Sequence, residues 1–327
     1  MLAWLELASS VWWQQLWPEP LLLIATVLTS RLLVLPSSYH PLTLFRYYAR
    51  QLGRKVHPDP SRPRQQQVLS GSLAVLVAIA PPVMLGYSLY LFSELPLALD
   101  ALLLFISMDW ALQRRQVLAV THSLSRNQLA LAKEQAGVLL LRDSSRLTEM
   151  GLSKAMIETA ILRSCRLELG VWFWFVLGGG IGALLYRLLQ ELGQQWNSKL
   201  PYHAAFGKLA SWLSNCSAAI PMAIASSILA LQYGIKRCIR QGRVNRLFFN
   251  LPSFYILSCA SVATRCKLGG PAYYATEKIT RTRFTQQREP GWRDIGISIR
   301  IVHFIQLYFM LLIVSLLLLQ LAILFMR

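Results

Sequence analysis

Apolar residues in this chain fall into long blocks, not into the alternation of a surface helix or a half-buried strand, and most blocks are about as long as a bilayer crossing. Six blocks predict transmembrane helices over about 19–35, 68–92, 97–112, 168–189, 216–235 and 301–326. The last is the clearest, because Leu307 to Met326 carries no charge. The third is the weakest, being short and holding Asp100 and Asp109. Ser93–Pro96 is short enough to join the second and third blocks as a hairpin, and Pro81-Pro82 marks a kink in the second. The pattern predicts an all-α polytopic membrane protein, one integral-membrane domain over 1–327, with amphipathic helices and loops on one side.

Composition agrees with that pattern. Of 327 residues, 54% are hydrophobic and 15% charged, where a soluble domain carries about 25% charged residues. A net charge of +18 on a soluble protein points to nucleic acid; interleaved with apolar blocks it points to a lipid bilayer instead. Residues 36–67 hold six Lys/Arg, 113–167 nine and 236–300 thirteen, which is 28 of the 33 basic residues, whereas 190–215 holds two. By the positive-inside rule the three basic segments are cytoplasmic and both termini face out, as in a multi-pass bacterial inner-membrane protein. The opening Trp-rich stretch lacks a basic n-region and a cleavage site, and reads as an interfacial helix. Five cysteines without a Cys-x-x-Cys pair read as free thiols or packing residues, with no metal site.

The polar segments carry the candidate chemistry. His40-Pro41 opens an amphipathic stretch that either lies along the inner leaflet or contributes His40 and its arginines to a ligand. Arg142-Asp143-Ser144-Ser145 precedes a helix running to the fourth block, with Ser144 or Ser145 capping a first helix and Ser153 the next. It is either an anion site or a salt-bridged corner. Gly178, Gly179, Gly180 and Gly182 permit close helix packing in the fourth block. The fourth and fifth blocks hold no Lys, Asp or Glu at mid-membrane, which counts against an ion-coupled transporter. Leu268-Gly269-Gly270-Pro271-Ala272-Tyr273-Tyr274 is a tight turn with backbone N–H groups and two rings beside it.

These pieces, in order, resemble the CobD/CbiB family, adenosylcobinamide-phosphate synthase of cobalamin biosynthesis. The likeness is carried by His40-Pro41, by Arg142–Ser145 with Leu147, and by Glu158. It continues through Phe173-Trp174, Gly178-Gly179, Gly182–Leu184 with Tyr186-Arg187, and Phe206-Gly207. Ser253, the whole Leu268–Tyr274 phrase, and Glu289-Pro290 with Asp294-Ile295 complete it. The resemblance implies an acid–amine ligase: ATP-driven amide formation between adenosylcobyric acid and aminopropanol phosphate, or aminopropanol, with Mg²⁺ on the phosphates, possible contact with other corrinoid-pathway membrane enzymes, and no nucleic acid. It implies Asp143 and Glu158 as catalytic acids and Mg²⁺ ligands, with Glu277 behind them. His40, Arg142, Ser144, Ser145, Ser253 and Lys267 would bind substrate or phosphate, Gly269 and Gly270 would offer N–H groups, and Tyr273 and Tyr274 would meet the corrin plane. Departures are equally specific. Leu162-Arg163 and Arg166 stand where the family pattern has Glu-Asn and Asp, Gln190 and Gly193 where it has Asn and Asp, Pro252 where it has Asn, and Val34–Pro41 lacks the early Gly-Asp-Pro. They leave open a non-catalytic scaffold or sensor on the same fold, like the ampicillin-resistance regulatory protein AmpE.

Overall fold

In hydrocarbon every backbone N–H and C=O must find a partner within the protein, and a helix does this within one segment. The computed structural model describes residues 18–32, 36, 39–57, 59, 61–242, 251–274, 277–284 and 287–325; the Trp-rich stretch before residue 18 lies outside the described residues. The elements are α1 Pro18–Leu32, α2 Pro41–Val56, α3 Arg64–Phe92, α4 Pro96–Ser107, α5 Trp110–Ser125, α6 Leu129–Gly137 and α7 Glu149–Ser164. After a π-helical turn, Cys165–Leu169, come α8 Gly170–Gln195, a 3₁₀ turn Pro201–His203, α9 Lys208–Tyr233, α10 Ile235–Gly242 and α11 Leu251–Thr264. A short antiparallel ribbon, β1 Ala272–Tyr274 with β2 Glu277–Ile279, precedes α12 Trp292–Phe325. Among the described residues, five largely helical stretches are long and apolar enough to cross a membrane: 64–92, 96–125, 149–195, 208–233 and 292–316. The chain is an all-α polytopic membrane protein.

Side-chain size sorts the lipid face from the bundle face. On α3, Leu69, Leu73, Leu76, Met84 and Leu85 are exposed while Ala74 and Ala78 are buried. Lipid tails are as apolar as leucine, so helices associate where small residues let backbones approach. The larger core gathers Ile157, Trp172, Phe175 and Tyr186 with Val302 and Phe309 of α12; a smaller one holds Leu42, Phe45, Trp196 and Phe206.

Two apolar blocks are not single helices. The block at 97–112 ends as helix at Ser107 and restarts at Trp110. Asp109, at the break, is drawn into a buried ion cluster. Its Oδ2 lies 2.7 Å from Arg187 and 3.0 Å from Arg46, and the same two arginines hold Glu191 at 2.6 and 2.8 Å. The block at 168–189 reverses direction. Gly178 (φ −143°, ψ 24°) and Gly179 (φ 59°, ψ −158°) leave helical geometry, and the second value is open essentially to glycine alone. Past this point the chain runs back along itself. Tyr186 donates its hydroxyl to the Arg166 carbonyl at 2.6 Å, its ring stacks near Trp174, and Gly182 abuts the Trp174 carbonyl.

This reversal corrects the segregation read from loop charge. Residues 190–215 were expected opposite the basic segments, but the hairpin returns them to the same end. There Trp196 donates to Ala49 O of α2, and Arg163 reaches Gln194.

Asp100 explains how the turn is tolerated. Its Oδ1 accepts the Gly180 N–H at 2.8 Å, replacing the helical acceptor that the break removes. Asp100→Leu is expected to lower stability by about 1–3 kcal/mol, the cost of an unpaired buried N–H. Asp100→Asn, whose amide oxygen still accepts, is expected to change it little. Thermal unfolding in detergent checks the pair; equal losses would remove the capping role.

Candidate functional site

The polar end of the bundle encloses a cavity of about 330 Å³. Its walls come from the turn after α6, the inner face of α7 with the π turn, the returning end of α8 with the loop to α9, the start of α9, and the ribbon region. Arg142, Arg163, Arg166, Lys199 and Arg281 line it, with Glu158 as the acidic side chain among them.

Glu158 is the keystone of the wall. Its Oε2 accepts from Arg142 at 3.3 Å and Arg281 at 3.2 Å, and its Oε1 accepts the Gly269 N–H at 2.7 Å. Arg281 Nε also donates to Gly270 O at 3.0 Å. Gly269 sits at φ 73°, and a Cβ there would lie 2.1 Å from the Thr282 carbonyl oxygen, so no other residue fits this turn without moving it. The Asp143 N–H meets Tyr273 O at 3.4 Å. One carboxylate and one backbone bond thus join the Arg142–Ser145 segment to the Leu268–Tyr274 phrase, segments far apart in sequence.

Arg166 lies on the π turn, a local widening often found where a helix serves a site. Its guanidinium donates to Asn215 Oδ1 at 2.8 Å and Ser253 Oγ at 3.2 Å. Arg163 donates to Gln113 and Gln194 at 3.1 and 3.3 Å. Both are held by neutral acceptors, and neither forms an ion pair among the described residues. Lys199 Nζ stands 5.7 Å from the Tyr274 ring centroid. Burial, and then the charges of Arg166, Arg281 and Arg142, bring Lys199 down to about 8. Its positive charge is therefore complete well below pH 8 and lost above it. Anion binding in the cavity is expected to weaken as pH rises through 8, and to lose that step in Lys199→Arg. Titration with inorganic sulfate, whose own charge is constant there, checks both; a step at pH 8 persisting in the variant would contradict the assignment.

The other expected residues divide. Ser253 and Tyr274 line the cavity with Arg142 and Glu158. Asp143 points away, its Oδ1 accepting the Ser145 hydroxyl at 2.6 Å and the Ser145 N–H at 3.0 Å, and its Oδ2 pairing with Arg146 at 3.2 Å. The Ser145 hydroxyl and N–H hold it below the usual carboxylate range. Ser144 and Ser145 form this turn and cap no helix. The cap of α7 is Thr148, whose Oγ1 accepts the Gly151 N–H at 3.1 Å, and Ser153 is buried inside α7 with no hydroxyl partner among the described residues. Gly269 and Gly270 do not offer their N–H groups to a ligand, since Glu158 and Thr282 O take them. Lys267 pairs with Glu289 at 3.0 Å, outside the cavity. Tyr273 is exposed beneath Arg146, and the side chain of Glu277 lies outside the described residues. His40 caps α2. Its Nδ1 accepts the Leu42 N–H at 3.3 Å and its Nε2 donates to Met108 O at 3.4 Å, which fixes the tautomer and braces the break before Asp109.

Magnesium fits poorly here. It prefers one or two carboxylates with free lone pairs beside phosphates and water. Glu158 already accepts three donors, Asp143 is turned to its own loop, and no group of three or more His, Cys, Asp or Glu gathers among the described residues. Sequence reasoning missed Lys199, Asn215 and Arg281, and saw Arg163 and Arg166 only as departures from a pattern.

The family model described as CobD/Cbib protein matches residues 22–302. The cobalamin biosynthesis protein CobD of Chromobacterium violaceum is 26% identical over 294 residues, covering 86% of this chain and 92% of its own length. That of Stutzerimonas stutzeri is 24% identical over 280 residues, covering 85% and 91%. The cobalamin biosynthesis protein CbiB of Salmonella typhimurium is 23% identical over 190 residues, covering 56% and 60%. No solved structure matches the chain. With a match running through α1, the cavity and the first part of α12, the chain belongs to the CobD/CbiB family of cobalamin biosynthesis.

Proposed function

We propose that this chain joins adenosylcobyric acid to aminopropanol phosphate, or to aminopropanol, forming an amide bond at the expense of ATP. The observation that carries the reading is the cavity itself. Two family phrases meet there through Glu158, around a concentration of positive charge. An ionised carboxylate is a poor electrophile and needs activation, most simply by phosphoryl transfer from ATP; the amine then displaces phosphate. The donor carries phosphate, and so does aminopropanol phosphate. Preorganised guanidinium groups bind such groups and stabilise the charge that develops during transfer. In this reading Arg142 and Arg281, fixed by Glu158, form one side of the phosphate cradle, and Arg163, Arg166 and Lys199 the other. The corrin lies against the exposed Tyr273 side, and the cavity end of the bundle faces the cytoplasm.

One observation favours a second reading, a non-catalytic membrane scaffold or sensor on the same fold: both Glu158 oxygens are engaged, which leaves no free acid among the described residues lining the cavity. The purified protein in nanodiscs, given adenosylcobyric acid, aminopropanol phosphate and ATP, separates the two. The synthase reading expects a product whose mass is the sum of acid and amine less one water, formed with ADP. Absence of that product with folded protein supports the scaffold.

A further inference from the structure

We propose that the cavity takes a phosphorylated ligand directly on its guanidinium and ammonium groups, with no bridging divalent cation. The inference deepens the reading of this cavity as the phosphate-handling site and rests on it. Charge comes first. Arg142, Arg163, Arg166, Lys199 and Arg281 face a volume whose acidic side chain is Glu158. A divalent cation beside Glu158 would stand against the two guanidinium groups already at 3.2 and 3.3 Å from its Oε2. An anion meets no such opposition.

Geometry gives the second reason. Asn215, Ser253, Gln113 and Gln194 hold Arg166 and Arg163 in place while neutralising none of their charge. A guanidinium fixed by neutral acceptors is preorganised for the planar, paired contacts that phosphate oxygens make. Burial, and after it the charges of Arg166, Arg281 and Arg142, lower the proton affinity of Lys199; a bound polyanion would offset the charge part of that cost. Metal-bridged sites carry phosphate on carboxylate-held Mg²⁺; here arginine and lysine occupy that place.

Inorganic pyrophosphate is the probe, titrated calorimetrically into the nanodisc-embedded full chain, once with EDTA and once with Mg²⁺. Binding is expected in EDTA and is not strengthened by Mg²⁺. Arg166→Gln is expected to weaken it about tenfold, the scale of one charge-assisted hydrogen bond, and Arg166→Lys less. Arg163→Gln gives an independent second test should Arg166→Gln fail to fold. Arg31→Gln, in a separate basic cavity with Arg114 and Arg115, is expected to leave binding unchanged. Binding seen only with Mg²⁺, or weakened as much by Arg31→Gln as by Arg166→Gln, overturns the proposal. Such a result can coexist with amide synthesis, and metal-free binding can coexist with its absence, so the two readings fail separately.

Discussion

Glu158→Gln is expected to abolish function and to destabilise the protein by roughly 3–5 kcal/mol, the range for removing one partner of a buried ion pair. Glutamine keeps an oxygen for the Gly269 N–H, so the turn retains one bond. Its amide nitrogen, however, faces Arg142 and Arg281, whose side chains are only 10% and 8% exposed. Two nearly buried cations would lose their common anion. In a protein of this size that loss corresponds to a fall of roughly 10 °C in the melting midpoint, measurable in detergent by intrinsic fluorescence. The segments Arg142–Ser145 and Leu268–Tyr274 would also separate, and the cavity with them. An unchanged midpoint would show that Glu158 does not hold the wall together.

Arg187→Met is expected to have an effect of similar size for a different reason. Arg187 is fully buried, and it stands 2.7 Å from Asp109 and 2.6 Å from Glu191. With it gone, two buried carboxylates share Arg46 alone, a cost again of roughly 3–5 kcal/mol. Replacing Glu191 by Met in the same chain leaves one balanced pair, Arg46 with Asp109. The double variant Arg187→Met/Glu191→Met is therefore expected to recover much of the lost stability, because well-packed apolar groups can substitute for a buried pair. A double variant less stable than the single would contradict this account of the cluster. The cluster also borders the site: Gln113 donates to Asp109 at 2.6 Å and accepts from Arg163 of the cavity wall at 3.1 Å.

What the sequence made legible follows from how each signal is encoded. Leucine-rich blocks announced lipid-facing helices, because burial in a bilayer depends on local composition alone. The family phrases announced Arg142, Glu158, Ser253 and Tyr274, and these do line one cavity. The hairpin at Gly178–Gly179 was hidden. Glycines in an apolar helix usually mark packing, and that here they mark a reversal depends on contacts between distant segments, such as the Asp100 carboxylate on the Gly180 N–H and the Tyr186 hydroxyl on the Arg166 carbonyl. Lys199 was hidden by the same event, since it lies in a segment whose low charge placed it on the far side. Arg163 and Arg166 are visible as residues out of pattern, but their meaning depends on Asn215, Gln113 and Gln194, contacts between distant segments that no local spacing records.

We propose that this chain performs the amide-forming step of cobalamin assembly from the Glu158 cavity. The most direct test is complementation of a bacterium lacking its own synthase, supplied with cobyric acid and scored for cobalamin-dependent growth. The account predicts growth with the wild-type chain, no growth with Arg142→Ala or Arg166→Gln, and growth with Lys267→Ala, whose pair with Glu289 lies outside the cavity. No growth with the wild-type protein present in the membrane, or growth indifferent to the cavity arginines, would contradict it.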